Sequence, residues 1–177
     1  MVTRIMVADS HQAGEGDSGA DAGGGIRARV IGTNINAETL LATDYLNHFN
    51  EVVMLLEMLP DMPECLDDVK AWRPKTYVEH FRDSSFSDAA LAIEAYAEVP
   101  AQCRARLEDV IGSLNRMILD AVAAAEAALA EGDTETLQHD IATVLPGIRS
   151  YQDRATSIIN GVTLNLDQSD IDSIIAP

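Results

Sequence analysis

Two long helical patterns, joined only by Gly132 and Asp133, constrain the fold of this chain more than any other feature. The first begins at Pro100, a residue well suited to the first position of a helix, and ends at Glu131. Its apolar residues recur every seven positions, at Leu107, Leu114, Ala121 and Ala128. The spacing predicts an amphipathic helix about 45 Å long, which Gly132 ends.

The second pattern begins at Asp133 or Thr134, either of which can cap a helix. Pro146 lies inside it without changing its period, so we expect one bent helix rather than two. The apolar positions alternate in steps of four and three, at Leu137, Ile141, Val144, Ile148, Tyr151, Ala155, Ile158 and Val162. This is coiled-coil spacing over nearly four heptads.

A connection this short makes the two helices antiparallel neighbours. The chain is therefore predicted to be all-α, a helical bundle built on a long antiparallel hairpin. Such a hairpin is usually completed by another helix of the chain or by a second copy, and we expect a homodimer.

A third helix is predicted from Asn36, a good N-cap, to the proline at position 60. Its apolar stripe consists of Ala42, Tyr45, Phe49, Val52, Leu56 and Leu59. Residues 60–84 contain three prolines and the lone tryptophan, and offer only short helical turns. Ser85 or Ser87 is expected to cap a short helix that runs to about Glu98.

The chain is divided by this pattern into three parts. Residues 1–34 are expected to be disordered or extended, because residues 12–25 are mostly glycine, alanine and aspartate, and residues 26–33 resemble an extended arm. Residues 35–163 form the bundle. Residues 164–177 are expected to form a short amphipathic helix that binds a partner.

Composition excludes several classes of partner and location. The formal net charge of −17 disfavours binding to nucleic acid or to an anionic membrane. Cys65 and Cys103 lie in no disulfide or metal-binding spacing, which is typical of reduced thiols. Neither a signal peptide nor an apolar run long enough to span a membrane is present, so we expect a cytoplasmic protein.

Two polar rows lie on the predicted helices. Asp44, His48 and Glu51 share one face at i, i+4 and i+7, the spacing with which helical bundles present metal or other ligands. In the second long helix, Asp153 and Asn160 point away from the core in a row with a serine between them, and Gln152 lies beside Asp153. A carboxylate can pair with a partner's lysine or metal-bound water, and an amide can orient a hydrolytic water at a phosphoryl group.

The last residues, LDQSDIDSIIA, resemble the receiver-binding segments of flagellar motor switch proteins and of CheZ chemotaxis phosphatases. The matching residues are Asp167, Gln168, Asp170, Ile171, Asp172, Ile174 and Ile175. In those families this segment docks as an amphipathic helix on a response-regulator receiver domain. The resemblance therefore implies a receiver domain as the partner, with the isoleucines as anchors.

SYQDRATSII and the long hairpin are also similar to the CheZ family, and the whole resemblance covers residues 100–177. It implies catalysis by Asp153 with Asn160 or Gln152, on a receiver that supplies its own Mg²⁺, so that this chain needs no cofactor. Ser157 stands where that family has an essential glutamine, so binding carries over better than phosphatase activity. The alternatives are a metal- or ligand-binding four-helix bundle using Asp44, His48 and Glu51, and a non-catalytic structural protein.

Overall fold

The computed structural model describes residues 22–162, with side chains from residue 25 onward. This part of the chain is all-α, as predicted, and contains seven α-helices. They are α1 (Ala22–Arg29), α2 (Asn47–Met58), α3 (Leu66–Ala71), α4 (Tyr77–Asp83), α5 (Ala89–Ala97), α6 (Ala101–Glu131) and α7 (Thr134–Ile159). Two 3₁₀ turns, Thr43–Leu46 and Pro63–Cys65, precede α2 and α3.

The long hairpin is formed by α6 and α7, which pack along each other. Gly132 ends α6 in the left-handed conformation, with φ at 71°, which glycine adopts without steric cost. Asp133 caps α7 by accepting a hydrogen bond from the backbone N–H of Thr136 at 2.9 Å. The helix α7 continues through Pro146, so the prediction of a single helix is confirmed.

The heptad positions of the hairpin are buried, with three differences in α7. Val144 and Tyr151 are half-buried, and Val162 is 52% exposed. Val162 was predicted to continue the apolar stripe, and this is wrong because α7 ends at Ile159 and Gly161, with φ at 73°, redirects the chain. The fully enclosed positions include Leu114, Ile118, Leu137 and Ile148.

The predicted helix start at Asn36 is wrong. The Asn36 side chain does accept bonds from the N–H groups of Glu38 and Thr39, at 2.8 and 3.0 Å, but these close a turn rather than begin a helix. Leu40 then takes a positive φ of 61° while its side chain is buried, and regular helix begins only with the following 3₁₀ turn. The apolar stripe from Ala42 to Leu59 is confirmed as buried.

The expectation of an extended arm over residues 26–33 is also wrong, because α1 continues to Arg29. Ile26 and Val30, spaced i and i+4, are 3% and 1% exposed in the core, and supply an apolar face that the glycine-rich run lacks. Arg29 forms an ion pair with Glu94 of α5. The predicted disorder of residues 12–25 falls mainly outside the described residues, and its last four residues are helical.

The irregular segment after α2 packs against α2 through the side chain of Trp72. Its indole N–H donates to the carbonyl oxygen of His48 at 3.0 Å, and its ring stacks on the His48 ring with centroids 5.0 Å apart. Next along the chain, Thr76 begins α4 with a capping box. Asp88, rather than Ser85 or Ser87, precedes the first residue of α5.

The small helices pack on one side of the hairpin. Contacts between α2 and α7 and between α3 and α6 join the two layers, and one continuous hydrophobic core extends from Ile26 to Ile159. No helix within residues 22–162 is long and apolar enough to cross a membrane.

Candidate functional site

A polar cleft of about 730 Å³ lies where α2 and the 3₁₀ turn that precedes it, Thr43–Leu46, meet α7. Four amide side chains line it, together with two carboxylates and one guanidinium. They are Asn34, Asn47, Asn50 and Gln152, Asp44 and Asp153, and Arg149. Two of the three residues that we predicted as catalytic, Gln152 and Asp153, therefore lie in one cleft.

Two side-chain contacts join the walls of the cleft. Gln152 donates from Nε2 to Oδ1 of Asn50 at 2.9 Å, and Arg149 forms an ion pair with Glu57. Both contacts connect α7 to α2, whose opposite faces are buried in the core. The polar groups of the cleft are thus held on two packed helices rather than on loops.

Asp153 is exposed at this cleft, and its neighbours along α7 are arranged differently from the predicted row. Ser157 is half-buried and donates its hydroxyl to the Asp153 carbonyl oxygen at 2.9 Å, a bond within the helix. Asn160 is exposed but forms the C-cap of α7, about 10 Å along the axis from Asp153, and does not line the cleft. The cleft therefore combines the Asp153 carboxylate with Gln152 rather than with Asn160.

Sequence reasoning did not identify Asn47 and Asn50 as members of this site. They lie at i and i+3 on α2, outside its apolar stripe, and nothing local to α2 shows which element that polar face approaches. Only the packing of α2 on α7 brings these amides to Gln152.

The predicted ligand row of Asp44, His48 and Glu51 is divided by the structure. His48 is buried against Trp72, and its Nε2 lies 2.8 Å from the carbonyl oxygen of Arg73, which can only accept a hydrogen bond. Burial lowers the pKa of His48. Asp44 lines the polar cleft, whereas Glu51 and His48 both line a separate pocket of about 230 Å³.

Across residues 22–162, no group of three or more histidine, cysteine, aspartate or glutamate side chains is arranged to hold a metal ion. Asp44, His48 and Glu51 therefore do not form a metal centre. The His48 ring serves instead as a packing and hydrogen-bonding partner for the segment around Trp72.

The predicted partner-binding residues, from Asp167 to Ile175, lie outside the described residues. The described chain ends at Val162, three residues after the end of α7.

Comparisons with known proteins add no family to this description. No protein-family model matches the chain, and no curated protein or solved structure matches it.

Proposed function

We propose that this protein is a cytoplasmic signalling protein that binds a response-regulator receiver domain through residues 166–175. The observation that carries the proposal is the sequence of that segment. It combines Ile171, Ile174 and Ile175 with three aspartates in a pattern similar to that of receiver-binding helices. The three isoleucines are the anchors, and the aspartates pair with basic groups around the receiver groove.

The packing of the described helices supports this proposal over the alternative structural interpretation. In the alternative structural interpretation, the tail isoleucines cover the apolar stripe of residues 36–60. That stripe is already covered within the described residues, since α2 packs on α7, on α3 and on the preceding 3₁₀ turn. Val52, Leu56 and Leu59 are accordingly fully buried.

Fluorescence anisotropy with labelled single-domain receivers, with and without beryllofluoride, tests the proposal on the full chain. We expect tighter binding to the activated receiver, and at least a tenfold loss with Ile174→Asp because an apolar anchor becomes a charge. Ile31→Asp is the matched control, since Ile31 is 75% exposed on the bundle. If no receiver binds, the proposal fails.

A second candidate function is dephosphorylation of the bound receiver, which the polar cleft favours. Water attacks the phosphorus of the receiver's aspartyl phosphate, the bond from phosphorus to the aspartyl oxygen breaks, and inorganic phosphate leaves with the receiver carboxylate restored. Asp153 pairs with the lysine or the metal-bound water of the receiver, and Gln152 orients the attacking water. The Mg²⁺ belongs to the receiver, so this chain needs no cofactor of its own.

Binding remains the stronger part of this proposal, for two reasons. Ser157 offers no amide, and its hydroxyl is bonded to the backbone. Asp153 lies on the side of α7, whereas the binding segment follows its end by only a few residues. One chain therefore presents its tail and its cleft to the same receiver only with difficulty.

A further inference from the structure

A second surface of the hairpin lies apart from the polar cleft. It is an open groove of about 670 Å³, and its lining residues come only from α6 and α7. Its floor is apolar and is formed by Met117, Ala121, Ala124, Val144, Gly147 and Tyr151. On each helix these residues follow steps of three and four, so they form one continuous face. The hairpin thus has the shape of half a four-helix bundle.

The side chains that line the groove differ in size along its length. The Met117 sulfur lies 3.1 Å from the position that a Cβ would take on Gly147, which sets the register of the antiparallel helices. In this register Tyr151 lies near the level of Ser113, and Asp140 lies near the level of Ala124. Tyr151 and Met117 therefore lie toward one end. Ala121 and Ala124 lie toward the other, where the larger Ile141 is only 4% exposed and Val144 is half-buried.

Charge is distributed along the groove in the same way. Arg116 lies at the bulky end, where it donates to the Ser113 hydroxyl at 3.1 Å. Asp120 and Asp140 lie toward the alanine end. Within the described part of the chain, none of these three charged groups takes part in an ion pair.

We infer that this groove binds a second copy of the chain, with the two hairpins running in opposite directions. A two-fold axis perpendicular to the helices, at about the level of residues 118–119, relates the two ends of the groove. It places Tyr151 and Met117 against the partner's Ala124 and the partner's Ala121. The same axis brings Arg116 toward the partner's Asp120 and the partner's Asp140.

Two other arrangements fit the groove less well. Pairing in the same direction sets Tyr151 against the partner's Tyr151 and Arg116 against the partner's Arg116, which leaves the alanine ends unfilled and like charges close together. Docking of the chain's own tail brings Asp167, Asp170 and Asp172 toward the two groove carboxylates, and residues 163–177 contain no lysine or arginine to offset them. The inference does not rest on the proposed function.

Sedimentation equilibrium of the full chain from about 1 to 200 μM tests this interface. We expect a monomer–dimer equilibrium that Ala124→Arg weakens at least tenfold, because the new side chain fills the space for the partner's Tyr151. Ala123→Arg is the matched control, since Ala123 is also exposed but is not a lining residue of the groove. A chain that stays monomeric throughout, or a dimer that Ala124→Arg does not weaken, overturns the inference.

Charge exchange tests the orientation. Arg116→Glu in one chain and Asp120→Arg with Asp140→Arg in another should each weaken self-association, and mixing the two chains should restore a heterodimer.

Oxidation should crosslink a Ser113→Cys chain to an Ala124→Cys chain in the dimer. Crosslinking of Ser113→Cys to itself indicates pairing in the same direction and overturns the inference. An increase of tenfold or more in dimerisation of the Ile174→Asp chain shows that the tail occupies the groove, and also overturns it.

Discussion

Gln152 of α7 and Asn50 of α2 are joined by a hydrogen bond of 2.9 Å between their side-chain amides. This bond spans 102 positions of sequence and connects the hairpin to the helix that precedes it. It also fixes one amide of the polar cleft beside Asp153. The relationship links the stability of the bundle to the geometry of the candidate site.

A double-mutant cycle with Gln152→Ala and Asn50→Ala measures this bond. Because both residues are partly solvated, we expect a coupling free energy of about 0.5–1 kcal/mol in urea unfolding. A coupling near zero would mean that the two amides are not held together in solution.

Two glycine replacements in the hairpin should change the free energy of unfolding in opposite directions. Gly132→Ala should lower the free energy of unfolding by about 1 kcal/mol, because φ at this position is 71°. Gly112→Ala, in the middle of α6, should raise it by about 0.5–1 kcal/mol, since the nearest atom to a new Cβ is an arginine nitrogen 3.8 Å away. Equal effects of the two replacements on urea unfolding would contradict the assigned turn.

Two leucines of α6 lie in different environments, one in the core and one at the surface. Leu114 is fully buried whereas Leu119 is 42% exposed. We expect Leu114→Ala to lower the free energy of unfolding by about 2–5 kcal/mol, because it leaves a cavity. Leu119→Ala should lower it by less than about 1 kcal/mol. Chemical denaturation of both variants measures the difference, and similar losses would place the core on the wrong face of α6.

Stability should decrease as the pH falls below the ordinary range of histidine. Burial lowers the pKa of both His48 and His80 in the folded protein, so the unfolded chain binds protons first. Their stabilising contribution is present above about pH 6.5 and is lost as the pH falls through the folded pKa values.

His48→Gln should therefore flatten the dependence of the unfolding free energy on pH between about 7 and 5.5. His139→Gln is the control, since His139 is exposed on α7. An unchanged slope in His48→Gln would show that this ring is solvated in the folded protein.

The hairpin could be predicted from sequence because its signals are local. The seven-residue period, the cap at Asp133 and the glycine at position 132 all act within a few residues of one another. The burial of Leu114 and Ile148 follows from the same period. By contrast, the Asn36 side chain accepts the bonds expected of a helix cap, but these bonds close a turn. No helix follows directly, because Leu40 has a left-handed backbone conformation while its side chain is buried.

The candidate site could be predicted only in part. The period of α7 places Gln152 and Asp153 outside its core stripe, and both line the cleft. The spacing of His48 from acidic residues suits a ligand. The structure instead stacks its ring on Trp72, which comes from a segment without any period. Contacts between distant segments such as these depend on tertiary packing rather than on local sequence.

Binding of the full chain to a phosphorylated receiver tests the central proposal most directly. Anisotropy should show tighter binding with beryllofluoride than without it, loss of binding in Ile174→Asp and retention in Ile31→Asp. Asp153→Asn should then slow receiver dephosphorylation only if the polar cleft is catalytic, with the exposed Asp109→Asn as its control. Equal binding by the wild-type chain and Ile174→Asp, or no binding to any receiver, would contradict the account.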